Sequence, residues 1–159
     1  MKQFRHPMWV GICAVALISS AACNDDEPFF AGIARTSADS PDLIGPDDPE
    51  DWQPRCTSSW DVFCVAPAFP NPTSAGTTIS FFLQDSSLVE LFAESEPRNK
   101  VRAIASLDLQ MGPWQVFWDL QDDSGAQLPN GIYRVWIKVI EVSEGTIHET
   151  FGDVQIQRP

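Results

Sequence analysis

Residues 114–139, WQVFWDLQDDSGAQLPNGIYRVWIKV, decide the fold of this chain. Apolar side chains recur at every second position near the start of the segment and again near its end, namely Trp114, Val116 and Trp118, then Tyr133, Val135, Ile137 and Val139. A period of two places alternate side chains on opposite faces of a β-strand, so each run buries one face of a sheet. Turn-forming residues separate the two strands, at Asp122-Asp123-Ser124-Gly125 and at Pro129-Asn130-Gly131.

The alternation continues on both sides of this segment. Further strand patterns occur at residues 78–83, 89–94, 101–109 and 146–157. The pattern over 101–109 is the weakest and predicts an edge strand. About seven short strands separated by turn signals predict an all-β, antiparallel β-sandwich over residues 55–159.

The N-terminus has the composition of a targeting segment. A short basic stretch is followed by about 15 uncharged residues, too few to cross a bilayer comfortably and typical of a signal peptide. Ser20-Ala21-Ala22-Cys23 resembles the lipobox of bacterial lipoproteins. The resemblance implies a signal peptide over residues 1–22 and acyl chains on Cys23 that attach the protein to a membrane. An ordinary secretory signal with an incidental cysteine is the alternative.

An acidic stretch lies just after Cys23. Asn24-Asp25-Asp26-Glu27 is similar to the signal that directs Bacteroidota-type lipoproteins to the outer face of the outer membrane. The resemblance implies an outer-membrane lipoprotein that is displayed at the surface. A periplasm-facing position and the inner membrane are the alternatives.

Residues 23–54 are rich in Pro, Asp and Ser and show no lasting period, which predicts a disordered tether between lipid and domain. The formal net charge of the chain is −12. A chain of this charge repels phosphate backbones, so nucleic acid is not an expected partner. An envelope protein or polysaccharide partner is compatible with it.

Cys56 and Cys64 are the cysteines that remain beyond Cys23. In the oxidising compartment that a signal peptide implies, they are expected to form a disulfide. A redox-active pair or a metal site are the alternatives. A zinc site needs four ligands, and His148 is the only imidazole beyond the signal, so neither a metal nor another cofactor is expected.

Five motifs occur in one order between about Ala66 and Val139. They are Phe69-Pro70-Asn71-Pro72, Thr77–Phe81, Val89-x-Leu91, Trp118-Asp119 with Asp122-Asp123-x-Gly125, and Pro129–Tyr133. Together they resemble the immunoglobulin-like domain of flagellar hook-capping proteins and the C-terminal sorting domains of type IX secretion substrates. The resemblance implies the sandwich fold and a sorting or assembly role. Ser95–Asn99 stands where those families have a Gly-rich turn, and the final hairpin is long.

The motif residues have local physical roles. Trp118 is expected to fill the space between two sheets, and Tyr133 to bury its ring while its hydroxyl donates a hydrogen bond. The carboxylates of Asp119, Asp122 and Asp123 are expected to accept backbone N–H groups in turns, with Ca²⁺ binding as the alternative. The sequence also predicts a rigid turn with an Asx-type bond at Pro70-Asn71-Pro72, positive φ at Gly125 and Gly131, and a bulge at Gly152.

Aromatic residues are the remaining candidates for a site. Trp60, Trp114 and Trp136 could form a carbohydrate- or peptide-binding patch, or pack against the disulfide segment. No catalytic residue is predicted, because His148 has no nucleophile motif beside it. The sequence therefore predicts a lipid-anchored envelope protein with a non-catalytic structural or interaction domain. The alternatives are a sorting domain of type IX secretion and a binding module that uses its tryptophans.

Overall fold

The computed structural model describes residues 32–45, 47–56 and 63–159, and their regular structure is entirely β. The seven strands are β1 Cys64–Phe69, β2 Thr77–Leu83, β3 Ser87–Ser95, β4 Asn99–Leu109, β5 Gly112–Trp118, β6 Gly131–Glu141 and β7 Ile147–Ile156. They form a three-stranded sheet, β1-β2-β5, and a four-stranded sheet, β4-β3-β6-β7. All named strand pairs are antiparallel, which confirms the predicted sandwich. In the described ranges, nothing helical is long and apolar enough to cross a bilayer.

The core lies between the two sheets, on the faces that the period of two predicts. In β3 and β6, Val89 pairs with Val139 and Leu91 with Ile137, and all four side chains are buried. Trp118 of β5 and Tyr133 of β6 join the sheets in an edge-to-face contact, with ring centroids 6.1 Å apart. Each such buried side chain stabilises the fold by about 1.5–3 kcal/mol.

The order of the strands departs from that of an immunoglobulin constant domain. In that domain the fourth strand joins the sheet of the first two. Here β4 pairs with β3 and forms an edge of the second sheet, as its weak apolar pattern predicts. The connection from β5 to β6 passes from one sheet to the other and buries Leu120 and Leu128 at its two ends.

Residues 32–56, which we call the strap, pack against the sandwich. Ala34, Thr36 and Trp52 are buried, with 0%, 4% and 0% of their surface exposed. The prediction of a disordered tether over 23–54 is therefore wrong for the described residues 32–45 and 47–54, and the packed domain starts well before residue 55. A polar segment of this composition usually stays disordered, because ordering it costs chain entropy. In the strap, burial of Trp52 and several buried hydrogen bonds offset that cost. Residues 1–22, Cys23 and the rest of the predicted tether lie outside the described residues.

The strap is joined to both sheets at their outer strands. The backbone N–H of Trp52 donates to the carbonyl of Phe151 in β7 (2.7 Å). The Thr36 hydroxyl donates to the carbonyl of Ala68 in β1 (2.8 Å). The Cys56–Cys64 disulfide connects the strap covalently to the first residue of β1, which confirms that prediction. The strap therefore covers the side of the sandwich where β1 and β7 meet.

Two predictions about glycines are wrong. Gly131 does not have a positive φ, because it already has the extended conformation of β6, whereas Gly125 has φ of 82° as predicted. Gly152 does not form a bulge and pairs in regular register with Val135. A Cβ at Gly152 would lie 1.9 Å from Cε2 of Trp52, so glycine is required there because the indole of the strap lies directly on the backbone of β7.

Candidate interaction surfaces

The turn after β5 holds the carboxylate of Asp122. Its Oδ1 accepts hydrogen bonds from the Ser124 hydroxyl (2.6 Å), the Ser124 N–H (2.8 Å) and the Ala126 N–H (2.9 Å). The Ser124 hydroxyl, followed by the Ala126 amide, holds the pKa of Asp122 below its usual range. Asp122 is therefore an ionised turn acceptor, as the turn interpretation predicts.

The carboxylates of Asp119 and Asp123 also accept backbone N–H groups, each from a different residue. Asp119 accepts from the Gln121 N–H (3.2 Å), and Asp123 accepts from the Ala103 N–H of β4 (2.8 Å). In the part of the chain that the structure describes, no three acidic, His or Cys side chains are grouped so that they could hold a metal ion. The arrangement supports turn capping over the Ca²⁺ alternative.

Asn71, in the Pro70-Asn71-Pro72 turn, is fully buried, and its side chain forms hydrogen bonds with residues far away in the sequence. Its amide donates to the carbonyls of Ala34 (2.9 Å) and Asp153 (2.8 Å), and its Oδ1 accepts from the Gln155 N–H (2.9 Å). The predicted local Asx-type bond is therefore wrong. The buried carbonyls of the strap and β7 need donors, and this side chain satisfies both.

Trp136 lies on the outer face of β6, on the side opposite Tyr133, as predicted. Its ring lies between Phe92 (6.4 Å between centroids) and Phe151 (5.3 Å), and its indole N–H donates to Glu94 Oε2 (3.0 Å). A depression of about 240 Å³ adjoins this row, and its lining includes Phe92, Glu94, Arg98, Trp136, Lys138 and Glu149. The outer face thus combines aromatic rings with both signs of charge.

Trp114 and Trp136, which were predicted to share a patch, lie in different sheets. Trp114 is in β5 of the other sheet, is 37% exposed, and donates its indole N–H to the carbonyl of Gln110 (2.8 Å). With Cys56 and Gln115 it helps line a mainly apolar groove of about 520 Å³. Trp114 therefore borders the disulfide segment, whereas Trp136 packs between phenylalanines. Trp60 lies outside the described residues.

The sequence reading missed a buried group of charges beneath the strap. Asp153 is fully buried and forms a two-point ion pair with Arg134, with both N–O distances 2.8 Å. Asp51, also fully buried, accepts the Asp153 N–H at 3.1 Å. Burial, with the nearby Asp153 charge adding to it, raises the pKa of Asp51 to about 7. The only sequence signal was the Asp51-Trp52 pair within an otherwise polar segment.

His148 and Tyr133 occupy positions that suit structural roles. The imidazole Nε2 of His148 lies 3.0 Å from Glu141 Oε1, at the surface end of the β6–β7 hairpin. The Tyr133 ring is buried, and its hydroxyl donates to the carbonyl of Pro129 (3.0 Å), which confirms the predicted role. A tyrosine near the start of this strand that bonds upstream backbone recurs in immunoglobulin-like sandwiches.

The chain matches no protein-family model and no curated protein. Among solved structures, it is similar to the dimeric latent PorU from Porphyromonas gingivalis, with 21% sequence identity and a TM-score of 0.49. The similarity covers 62% of this chain and 9% of that chain, so it concerns a small part of that protein.

Proposed function

We propose that this chain is a lipid-anchored protein of the cell envelope whose sandwich serves as a non-catalytic interaction module. The observation that carries the proposal is the sequence Ser20-Ala21-Ala22-Cys23 after an uncharged segment. The Cys56–Cys64 disulfide supports it, because structural disulfides persist in oxidising compartments such as the periplasm and the cell surface.

The packed strap shortens the distance between anchor and domain. With Cys23 acylated and Gly32 next to Asp48 within the strap, the eight residues 24–31 connect the two. Even fully extended, they reach about 30 Å. The domain is therefore held close to the headgroups, and a partner must also lie near the membrane.

The anchor is tested with the full chain expressed in a bacterial host. Globomycin, which blocks the lipoprotein signal peptidase, should cause precursor to accumulate, and Cys23→Ala should release the protein from the membrane fraction. Cys13→Ala is the matched control and should change neither. Processing that is unchanged both under globomycin and in Cys23→Ala would refute the anchor.

Surface display is a separate part of the proposal, and the acidic residues 24–27 support it. Protease added to intact cells should remove the domain from the surface. Substitution of Asp25, Asp26 and Glu27 by Ala should retain membrane association but protect the domain from protease. Protection of the unmodified protein would assign it to the periplasmic side.

A second candidate function is polysaccharide or peptide binding at the outer face of β6, favoured by the aromatic row around Trp136. Stacking on such rings is a common means of holding sugars and peptides. Binding to an envelope polymer should be lost in Trp136→Ala and retained in Trp114→Ala, as measured by co-sedimentation. Equal binding by both variants would exclude this face.

A sorting role rests on the motif resemblance to type IX secretion substrates. Deleting residues 146–159 is a poor test, because β7 buries Val154 and Ile156 and supports Trp52. Fusing residues 32–159 to a reporter keeps the strap and β7 together. Export of the fusion that depends on the secretion system would support sorting, and its retention would oppose it.

A further inference from the structure

The backbone edges of the sandwich differ in how far they are covered. The edge strands are β1 and β5 in one sheet and β4 and β7 in the other. At β1, Val65 donates to the carbonyl of Pro54 and accepts from the N–H of Cys56, both at 2.9 Å. At β7, the carbonyl of Phe151 accepts from Trp52, and that of Gln155 accepts from Thr73 (2.9 Å). Both edges are therefore closed by other parts of the chain.

The edge of β4 is protected in another way. The Asp123 N–H donates to the carbonyl of Val101 (3.1 Å), and its carboxylate accepts the Ala103 N–H. The pairing of β3 with β4 has two register irregularities, and the strand carries Lys100, Arg102 and Asp108. Capping, bulges and charges are devices by which proteins prevent further strands from adding to an edge.

In the part of the chain that the structure describes, the edge of β5 has no cap, no bulge and no charged residue. Among the described residues, the backbone hydrogen bonds of Gly112–Trp118 run only to β2, in regular register along the whole strand. The strand contains no charged residue, and Pro113 at its start is the only residue in it that cannot donate. Phe117 is 64% exposed and Trp114 is 37% exposed, which leaves apolar surface along the edge. An uncharged, regular and open edge is a template for an added strand.

Acidic residues occur in the segments that flank β5 and its partner strand β2. Leu83, which pairs with Gly112, is followed by Asp85, and Asp108 precedes the connection into β5. At the other end, Asp119 directly follows the strand, with 41% of its side chain exposed, and Asp122 is close behind. Arg102 lies 4.0 Å from Asp119 and offsets part of its charge. β2 and β5 themselves contain neither Lys nor Arg.

We propose that the open edge of β5 binds an extended partner segment with an apolar centre and basic ends, which adds as a fourth strand to the β1-β2-β5 sheet. Backbone hydrogen bonds to β5 supply general affinity, and contact with Phe117 and Trp114 selects apolar side chains. Lysine or arginine at the ends of the segment meets the carboxylates at the ends of β5, which sets position and association rate. The inference rests on the proposed interaction role of the domain and is independent of the anchor.

A second copy of this chain fits the same edge less well. Antiparallel pairing of two β5 strands would bring the Asp119 end of one near the Asp85 and Asp108 end of the other. Both ends are acidic, and like charges brought together at an interface oppose association. Charge complementarity thus favours a basic partner over self-association.

The test uses the full chain in detergent micelles and the synthetic peptide Lys-Lys-Val-Thr-Val-Thr-Val-Lys-Lys. Amide hydrogen exchange should slow selectively in residues 112–118 when the peptide is added. The same peptide with Glu in place of Lys should bind about tenfold more weakly or worse, and salt should weaken the lysine peptide.

Two variants with the same charge change locate the site. Phe117→Lys places a positive charge on the proposed edge and should weaken binding about tenfold, because it removes apolar contact and repels the basic ends. Ser106→Lys places the same charge on the exposed face of β4 and should leave binding unchanged. Both variants should unfold at nearly the unmodified urea concentration.

Three results would overturn the proposal. The first is that the peptide does not bind, and the second is that it slows amide exchange in strands other than β5. The third is that exchange in β5 slows with rising protein concentration in the absence of peptide, which would mean that a second copy covers the edge. Any of these would leave the release of Cys23→Ala from the membrane unaffected, so failure here is distinguishable from failure of the anchor.

Discussion

At the scale of single residues, the most consequential side chains join parts of the chain that are far apart. Asn71 connects the strap to β7 through three hydrogen bonds, and its partners Asp153 and Gln155 are 82 and 84 positions away. Gly152 matters for the opposite reason, because the space where its side chain would be is occupied by the Trp52 ring. Each residue therefore fixes the position of the strap.

Asn71→Ala should lower the free energy of unfolding by about 3 kcal/mol or more. The change leaves two carbonyls and one N–H without their partner in a buried place, and each such group costs about 1–3 kcal/mol. Asn130→Ala is the matched control, since the Asn130 amide also bonds backbone, the N–H and the carbonyl of Arg158, but is exposed. Urea unfolding should show a loss below about 1 kcal/mol for the control. Equal losses would mean that burial of Asn71 is not what matters.

Gly152→Ala should be strongly destabilising in the unmodified chain and nearly neutral in a Trp52→Ala background. The added methyl group collides with the indole, and removing the indole removes the collision. Trp52→Ala alone should cost about 3–5 kcal/mol, as other buried tryptophans do. A double-mutant cycle measured by urea unfolding gives the coupling directly. Additive effects would show that the two sites do not touch.

At the scale of elements, the strap combines favourable packing with a buried carboxyl group. The fully buried Asp51 is next to the ion pair of Asp153 with Arg134, and its pKa of about 7 means that it holds a proton under mildly acidic conditions. An unfolded Asp has a pKa near 3.8. The folded state therefore binds one more proton than the unfolded state between those two values, and the stability from this group falls as the pH rises.

Asp51→Asn should make the protein more stable above pH 7 and flatten its dependence on pH. Each pH unit between about 4 and 7 costs the unmodified protein about 1.4 kcal/mol through this group, on the order of 4 kcal/mol in total. Burial also raises the pKa of Asp153, so a slope of the same sign should remain in Asp51→Asn. Urea unfolding at several pH values measures both effects. The exposed Asp39→Asn is the control, and a profile for Asp51→Asn parallel to the unmodified one would contradict the argument.

At the scale of the whole molecule, the sandwich is closed by its core on the inside and by the strap and disulfide along one side. The core residues of the two sheets form one cluster that also contains Ala34 and Trp52 of the strap. On the opposite side, the backbone of β5 pairs with β2 alone among the described residues. One side of the described domain is thus closed by the strap and the disulfide, and the other carries the edge that we propose as the site of strand addition.

Replacing Cys56 and Cys64 by Ser should lower the free energy of unfolding by about 2–3 kcal/mol without unfolding the domain. The disulfide closes a short loop, and loops of that size stabilise by restricting the unfolded chain. The core between the sheets does not depend on it, so the chemical shifts of β3 and β6 should hardly change. Limited proteolysis should find new cleavage between residues 47 and 56. Complete loss of dispersed shifts would show that the disulfide is required for folding.

The sequence alone determined the strands, their buried faces, β4 as an edge, the carboxylate-capped turn, the disulfide and the Tyr133 hydrogen bond. These follow from alternation and turn chemistry, which act between residues a few positions apart. The packing of the strap, the role of Asn71, the need for Gly152 and the separation of Trp114 from Trp136 were decided only by the tertiary structure. The physical reason is that each depends on contacts across the fold, such as that between Asp51 and Asp153, 102 positions apart. Local composition made the strap resemble a tether because its stabilising partners lie in β7.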